Sequence, residues 1–200
     1  MTDASSASDA LPEQLAAYRQ GFVAVKREAQ ALTDGVSDDR MLARPGPDAW
    51  SAVECFEHLN TAGWLLLERM ERVMMNAREN GPHGTPPFDY GFISRLFVRS
   101  MEPDSFLSLS APSVYEPAPP ATLHPHEVVV EFLALQDDLA GCIAQAHGLD
   151  LRRIRLASPA VPLLRISLGA WFEATQAHER RHLAQARRAL ATAQTRSSGG

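Results

Sequence analysis

The chain has few cysteines: two in 200 residues, Cys55 and Cys142, set far apart and forming no CxxC pair. That excludes a disulfide framework and a thiolate zinc cluster, and a reducing cytoplasm suits both thiols. Long apolar runs are missing too, so no membrane span is expected, and the N-terminus MTDASSASDA has neither the basic start nor the apolar stretch of an export signal. A soluble, cytoplasmic protein is the expectation. Positive charge is in short supply: 19 Lys and Arg against 24 Asp and Glu leave a net charge of −5. A nucleic-acid partner, whose phosphates need a concentrated basic surface, is therefore not expected. The nearest candidate, Arg180, Arg181, Arg187 and Arg188, reads as the solvated face of an amphipathic helix. Alternation of apolar and polar residues is almost absent, which argues against strands and for an all-α class.

What is present is a 45% hydrophobic composition, ample for one buried core, and four long segments of helical period. The first runs from Leu11 to Asp34, with Gly35 as its stop. The second opens at Ser51, with Glu54 placed to complete a capping box, and runs to about Glu79. Its apolar seam is Ala52, Phe56, Leu59, Gly63, Leu66, Met70 and Val73. The third spans His126 to His147, and the fourth Ser167 to about Ala193. Turn-rich VSDDRMLARPGPDAW joins the first two. The link from Gly81 to Pro125 is long enough for a crossover, with FISRLFVRS as a short helix inside it. LRRIRLASPAVP reads as a loop. Residues 1–10 and 195–200 are expected to be flexible ends around one domain, 11–194.

Three histidines carry the chemistry. His178 and His182, four apart on the fourth helix, stack on one face and can offer two imidazoles to one ion. Both fall on an inward seam read as Leu168, Trp171, Thr175, His178, His182, Gln185 and Ala189. Unpaired imidazoles in a bundle interior are unfavourable, and a bound metal is one remedy. Spacing alone leaves ordinary helix histidines as an equal reading. His58, on the second helix, lies beside the apolar stripe, a place that suits a site opening to solvent or a surface residue. His178-Glu179-Arg180-Arg181-His182 matches the zinc-peptidase pattern, but nothing after His182 can serve as its third ligand, and two arginines would crowd the ion with like charge. Glu179 is expected on the surface, paired with an arginine. Of His83, His124, His126 and His147, His124-Pro-His126 could pinch a metal but sits at a loop-to-helix boundary where exposure is the default, and His147 suits a helix end.

Trp50 through Leu59 (W-S-x-x-E-x-x-x-H-L) and His178 through Gln185 (H-x-x-x-H-L-x-Q), in this order and helical context, resemble the DinB-like superfamily over nearly the whole chain. The resemblance implies a four-helix bundle with a long crossover between the second and third helices, often dimeric. It also implies a divalent metal, zinc or nickel foremost, on His58, His178 and His182. Family chemistry includes thiol-dependent transferases and isomerases and metal-dependent hydrolases, so a small-molecule substrate and a low-molecular-weight thiol are the expected partners. A non-enzymatic metal-binding bundle is the alternative. The run Asn60-Thr61-Ala62-Gly63 departs from members that carry an acidic residue after this histidine.

Overall fold

The computed structural model describes residues 10–105, 115–158 and 163–197. Its long helices follow the expected segments: α1 (Glu13–Thr33), α3 (Ala52–Asn80), α5 (Pro125–Gln145) and α6 (Leu168–Ser197). Two shorter ones, α2 (Asp38–Leu42) and α4 (Gly91–Met101), lie within the connections, α4 where FISRLFVRS suggests it and α2 in the stretch read as turns. α5 begins one residue early because Pro125 takes the first helical position, where its missing N–H is no loss. α6 continues into the tail as far as Ser197. Residues 1–9 and 198–200 of the expected flexible ends lie outside the described residues.

The start of α3 is fixed by local chemistry. Ser51 Oγ accepts from the Glu54 amide at 3.4 Å and Glu54 Oε2 accepts from the Ser51 amide at 2.8 Å, closing the capping box. Arg44 then reaches the fully buried Glu54 carboxylate with Nε, at 2.8 Å, and with Nη2. Burial pushes that carboxyl up, but the bonds from Arg44 and Ser51 outweigh it and hold it below the usual carboxylate range.

α1 and α3 each pack against both α5 and α6, and α4 lies on α6. α1 presents Leu15, Tyr18, Phe22, Val25 and Ala29, three or four apart, as its buried stripe. α3 and α5 meet closely at Gly63, where a Cβ would lie 2.4 Å from Leu135 Cδ2. The apolar interior divides in two. One cluster gathers Phe22, Met70, Leu135, Leu139, Trp171 and Phe172; the other gathers Val53, Phe56, Leu59, Phe132, Leu183 and Leu190. Where the two clusters adjoin on α3, α5 and α6 come polar residues, His58 and Asn60, Gln136, and Thr175, Gln176, His178 and Glu179, of which His58, Asn60, Gln136 and Glu179 are at most 4% exposed.

Two expectations need correction, and one alternative left open for His58 is closed. The chain is mostly helical but not purely so: within the stretch read as a loop, β1 (Arg155–Ala157) pairs antiparallel with β2 (Arg165–Ser167). Three-residue strands are too short for alternation to show as a pattern, yet Leu156 and Ile166 turn inward while Arg155 and Arg165 face solvent. Residues 159–162 of that stretch lie outside the described residues. His58 is no surface residue, being 4% exposed. Glu179 is 2% exposed, not a surface partner of an arginine, because α6 is wrapped by α1, α3 and α4 and buries more than one seam, Ala177, Leu183, Ala186 and Leu190 included. Among the described residues no helix is long and apolar enough to cross a membrane.

Candidate metal centre

His58 stands nearly two turns into α3, and His178 and His182 project from the middle of α6, which packs on α3. One nitrogen from each of the three lies within 4.8 Å of the other two. His58 Nε2 and His178 Nε2 are 3.2 Å apart. Ring centroids are 5.1 Å apart for His58 and His178, 4.5 Å for His58 and His182, and 4.6 Å for His178 and His182.

The tautomer of His58 follows from its other nitrogen. Nδ1 lies 2.6 Å from the backbone carbonyl of Tyr115, and since a carbonyl can only accept, Nδ1 carries the proton and Nε2 presents a lone pair to the other histidines. A backbone carbonyl behind the imidazole is also the usual means of orienting a metal ligand. Trp50 covers the group, its ring 5.0 Å from His58 and stacked on His182 at 5.8 Å and 26°. His182 Nδ1 is buried and has no hydrogen-bond partner among the described residues.

Electrostatics keep the rings neutral. Burial lowers the His58 pKa, against a smaller opposing pull from the Tyr115 carbonyl. Burial, then the neighbouring His58 and Arg181, bring His178 down to about 3. Burial, then His178, His58 and Arg181, hold His182 well below the ordinary histidine value. Neutral imidazoles are the form that binds a cation.

The donor set fits a divalent ion. Two nitrogens bound at about 2.0–2.1 Å in tetrahedral geometry would be separated by about 3.3 Å, close to the 3.2 Å between His58 and His178. The group can therefore hold a metal ion, with nitrogen ligands throughout. All three histidines singled out from sequence are thus brought together, and His83, His124, His126 and His147 are not part of the group. His83 instead bridges to Leu149, and His124 precedes the first turn of α5. Glu179, next to His178 in sequence, accepts from Gln136 Nε2 at 2.8 Å on α5; burial raises its pKa to about 8, partly offset by Gln136 and Arg180. The peptidase pattern therefore has its glutamate committed to the core.

The Tyr115 carbonyl could not be found from sequence, since every residue carries one. Trp50 left a trace, heading the motif that ends at Leu59, but its stacking on His182, far along the chain, has no local signal.

Comparison with characterised proteins and with solved structures finds no match. A family model described as DinB superfamily matches residues 22–186, a span that includes all three histidines. That match covers most of the chain, which therefore belongs to the DinB superfamily.

Proposed function

We propose that the chain is a metal-dependent enzyme in which His58, His178 and His182 hold a divalent ion, zinc or nickel, and which uses a low-molecular-weight thiol to transfer sulfur to, or isomerise, a small electrophilic substrate. The observation that carries the reading is the unprotonated His58 Nε2 facing His178 Nε2 at 3.2 Å, with His182 completing the group. Three ligands of this kind leave positions free for substrate, the mark of a catalytic rather than a structural site. The ion would supply a lowered pKa for a thiol or water, giving a nucleophile at neutral pH.

The chain's own residues do the rest. Tyr115 holds the His58 ring through its carbonyl, and Trp50 screens His58 and His182 from solvent on one side. Arg181, whose Nη1 donates to the Ser100 carbonyl at 3.2 Å, adds positive charge felt by His178 and His182. Ser100 and Tyr115 both belong to the connection between Gly81 and Pro125, so that connection would shape the substrate's approach. The pairing of α1 and α3 with α5 and α6 supports a four-helix bundle with a crossover between its second and third long helices. The unpaired, buried Cys55 and Cys142 suit a reducing, cytoplasmic setting.

The test is to incubate the zinc- or nickel-loaded protein with a bacterial thiol and an electrophile and follow thiol adducts. Adduct formation lost in a His178→Ala, His182→Ala double variant is expected. Equal activity in that variant would remove the site from the reaction, and ester or amide cleavage without adducts would make the protein a hydrolase.

A further inference from the structure

The far end of α3 carries a hollow of its own. Its last turns and the sheet enclose a cleft of about 430 Å3, floored by Val73, Ala77 and Ile154 and rimmed by Arg153, Arg155 and Arg165. At 1.5 Å per residue, Asn76 is roughly 27 Å along α3 from His58, so the cleft is separate from the histidines. Among the described residues no Asp or Glu lines it, and none of the three arginines forms an ion pair. In a chain of net charge −5, three uncompensated guanidinium groups around one hollow are out of keeping with the average surface. The carbonyl end of α3 would favour about half a unit of positive charge nearby; three arginines exceed it.

The rim is partly ordered before any ligand arrives. Arg165 Nη2 donates to the Arg155 carbonyl at 3.3 Å, holding one guanidinium along the sheet edge. β1 and β2 keep Arg155 and Arg165 on the same exposed side, while Leu156 and Ile166 anchor the strands in the core. Asn76 uses its side-chain oxygen to accept from Asn80 Nδ2 at 3.0 Å, which leaves its NH2 group as a donor at the cleft. The lining thus offers donors with positive charge above an apolar floor.

We propose that this cleft binds a phosphorylated small molecule. Guanidinium forks match phosphate oxygens two at a time, and a phosphate ester near charge −2 answers several arginines better than a single carboxylate does. The volume is within the range of small-molecule sites, and the apolar floor suits the organic body of an ester.

Inorganic pyrophosphate is the probe, titrated calorimetrically into the full chain and into the His178→Ala, His182→Ala variant, where no ion in the histidine group can bind it. Saturable binding of one pyrophosphate per chain is expected in both. An Arg155→Gln, Arg165→Gln variant should bind at least about tenfold more weakly, as the loss of two charge-assisted contacts implies. Both positions are exposed, and circular dichroism checks the fold; Arg153→Gln, outside the strands, repeats the test if that variant does not fold. Binding unchanged in the arginine variants overturns the proposal, as does binding that vanishes in the double histidine variant. Citrate binding as tightly as pyrophosphate overturns the phosphate assignment, and an equal response to sodium chloride of the same ionic strength reduces the effect to screening. None of these outcomes depends on the thiol reaction proposed above.

Discussion

Two polar clusters of this molecule, meeting α6 at Glu173 and at His178 less than two turns further on, are built on opposite plans. In the first, Tyr18 donates to Glu173 Oε1 at 2.8 Å and accepts from Tyr90 at 2.9 Å and from Gln14 Nε2 at 3.0 Å, while Gln14 also exchanges bonds with the backbone of Phe88. Donors meet acceptors, and none of these four residues leaves a buried side-chain polar atom unpaired. In the second, His58, His178 and His182 turn nitrogens toward one another, and His58 Nε2 presents a bare lone pair to His178 Nε2. A cluster that closes on itself has no need of a partner from outside and serves to tie α1, the start of α4 and α6 together. A cluster that aims the His58 lone pair at two further imidazoles can take up a cation.

The sharpest way to break this contrast is to delete one histidine. His58→Ala, His178→Ala or His182→Ala should each weaken zinc or nickel binding by roughly a hundredfold or more, since an ion left with two ligands loses its enclosure. Competition with a chromogenic chelator measures it, and affinity retained in all three would end the distinction between the clusters. Tyr18→Phe, by contrast, should leave metal affinity alone and destabilise the fold by about 1–3 kcal/mol in urea melts, because the half-buried Glu173 loses its donor. Gly169→Ala tests the same cluster without removing a polar atom: the new Cβ would lie 1.9 Å from Tyr90 Oη, so the tyrosine must shift, and a loss of the same order is expected.

Acid should separate the clusters further. Histidines whose folded pKa is lowered stay neutral in the native state but take up protons when unfolded. Their share of stability is therefore present above the unfolded value near 6.5 and is lost as pH falls through the window toward about 3, the value for His178. Urea midpoints of the metal-free chain should fall across that window, less steeply in the His178→Ala, His182→Ala variant. Equal slopes would show that the imidazoles are not held neutral. Glu179 has the opposite sign: with its folded pKa raised to about 8, its share is present below about 4.5 and lost as pH rises through about 8. The smallest effect is expected from Trp50→Phe, which keeps an aromatic face over His58 and His182 and should change metal affinity only a few-fold.

These clusters also show what a linear sequence displays. His178 and His182 were visible because a helix turns a four-residue spacing into a shared face, and Ser51 with Glu54 because a capping box is local chemistry. The long helices were legible for the same reason. Tyr18, Tyr90 and Glu173 come from three distant segments with no common period, so nothing along the chain announces their meeting. Glu179 was misplaced because a charged residue off a narrow seam defaults to the surface, whereas α6 buries several of its faces. The sheet escaped notice because three residues per strand are too few to establish a rhythm.

The polar layer that divides the apolar interior has a mechanical meaning. Asn60 Oδ1, Gln136 Oε1 and Glu179 Oε2 are buried there without partners among the described residues, and each such atom forfeits about 1–3 kcal/mol. Such unpaired atoms would make the layer weaker than the apolar clusters on either side of it, a joint where α3, α5 and α6 cross. An ion gripped by His58 on α3 and by His178 and His182 on α6 would act as a rivet through that joint. Amide hydrogen exchange should then slow on both sides of the layer together when metal is added, and the two blocks should open as one.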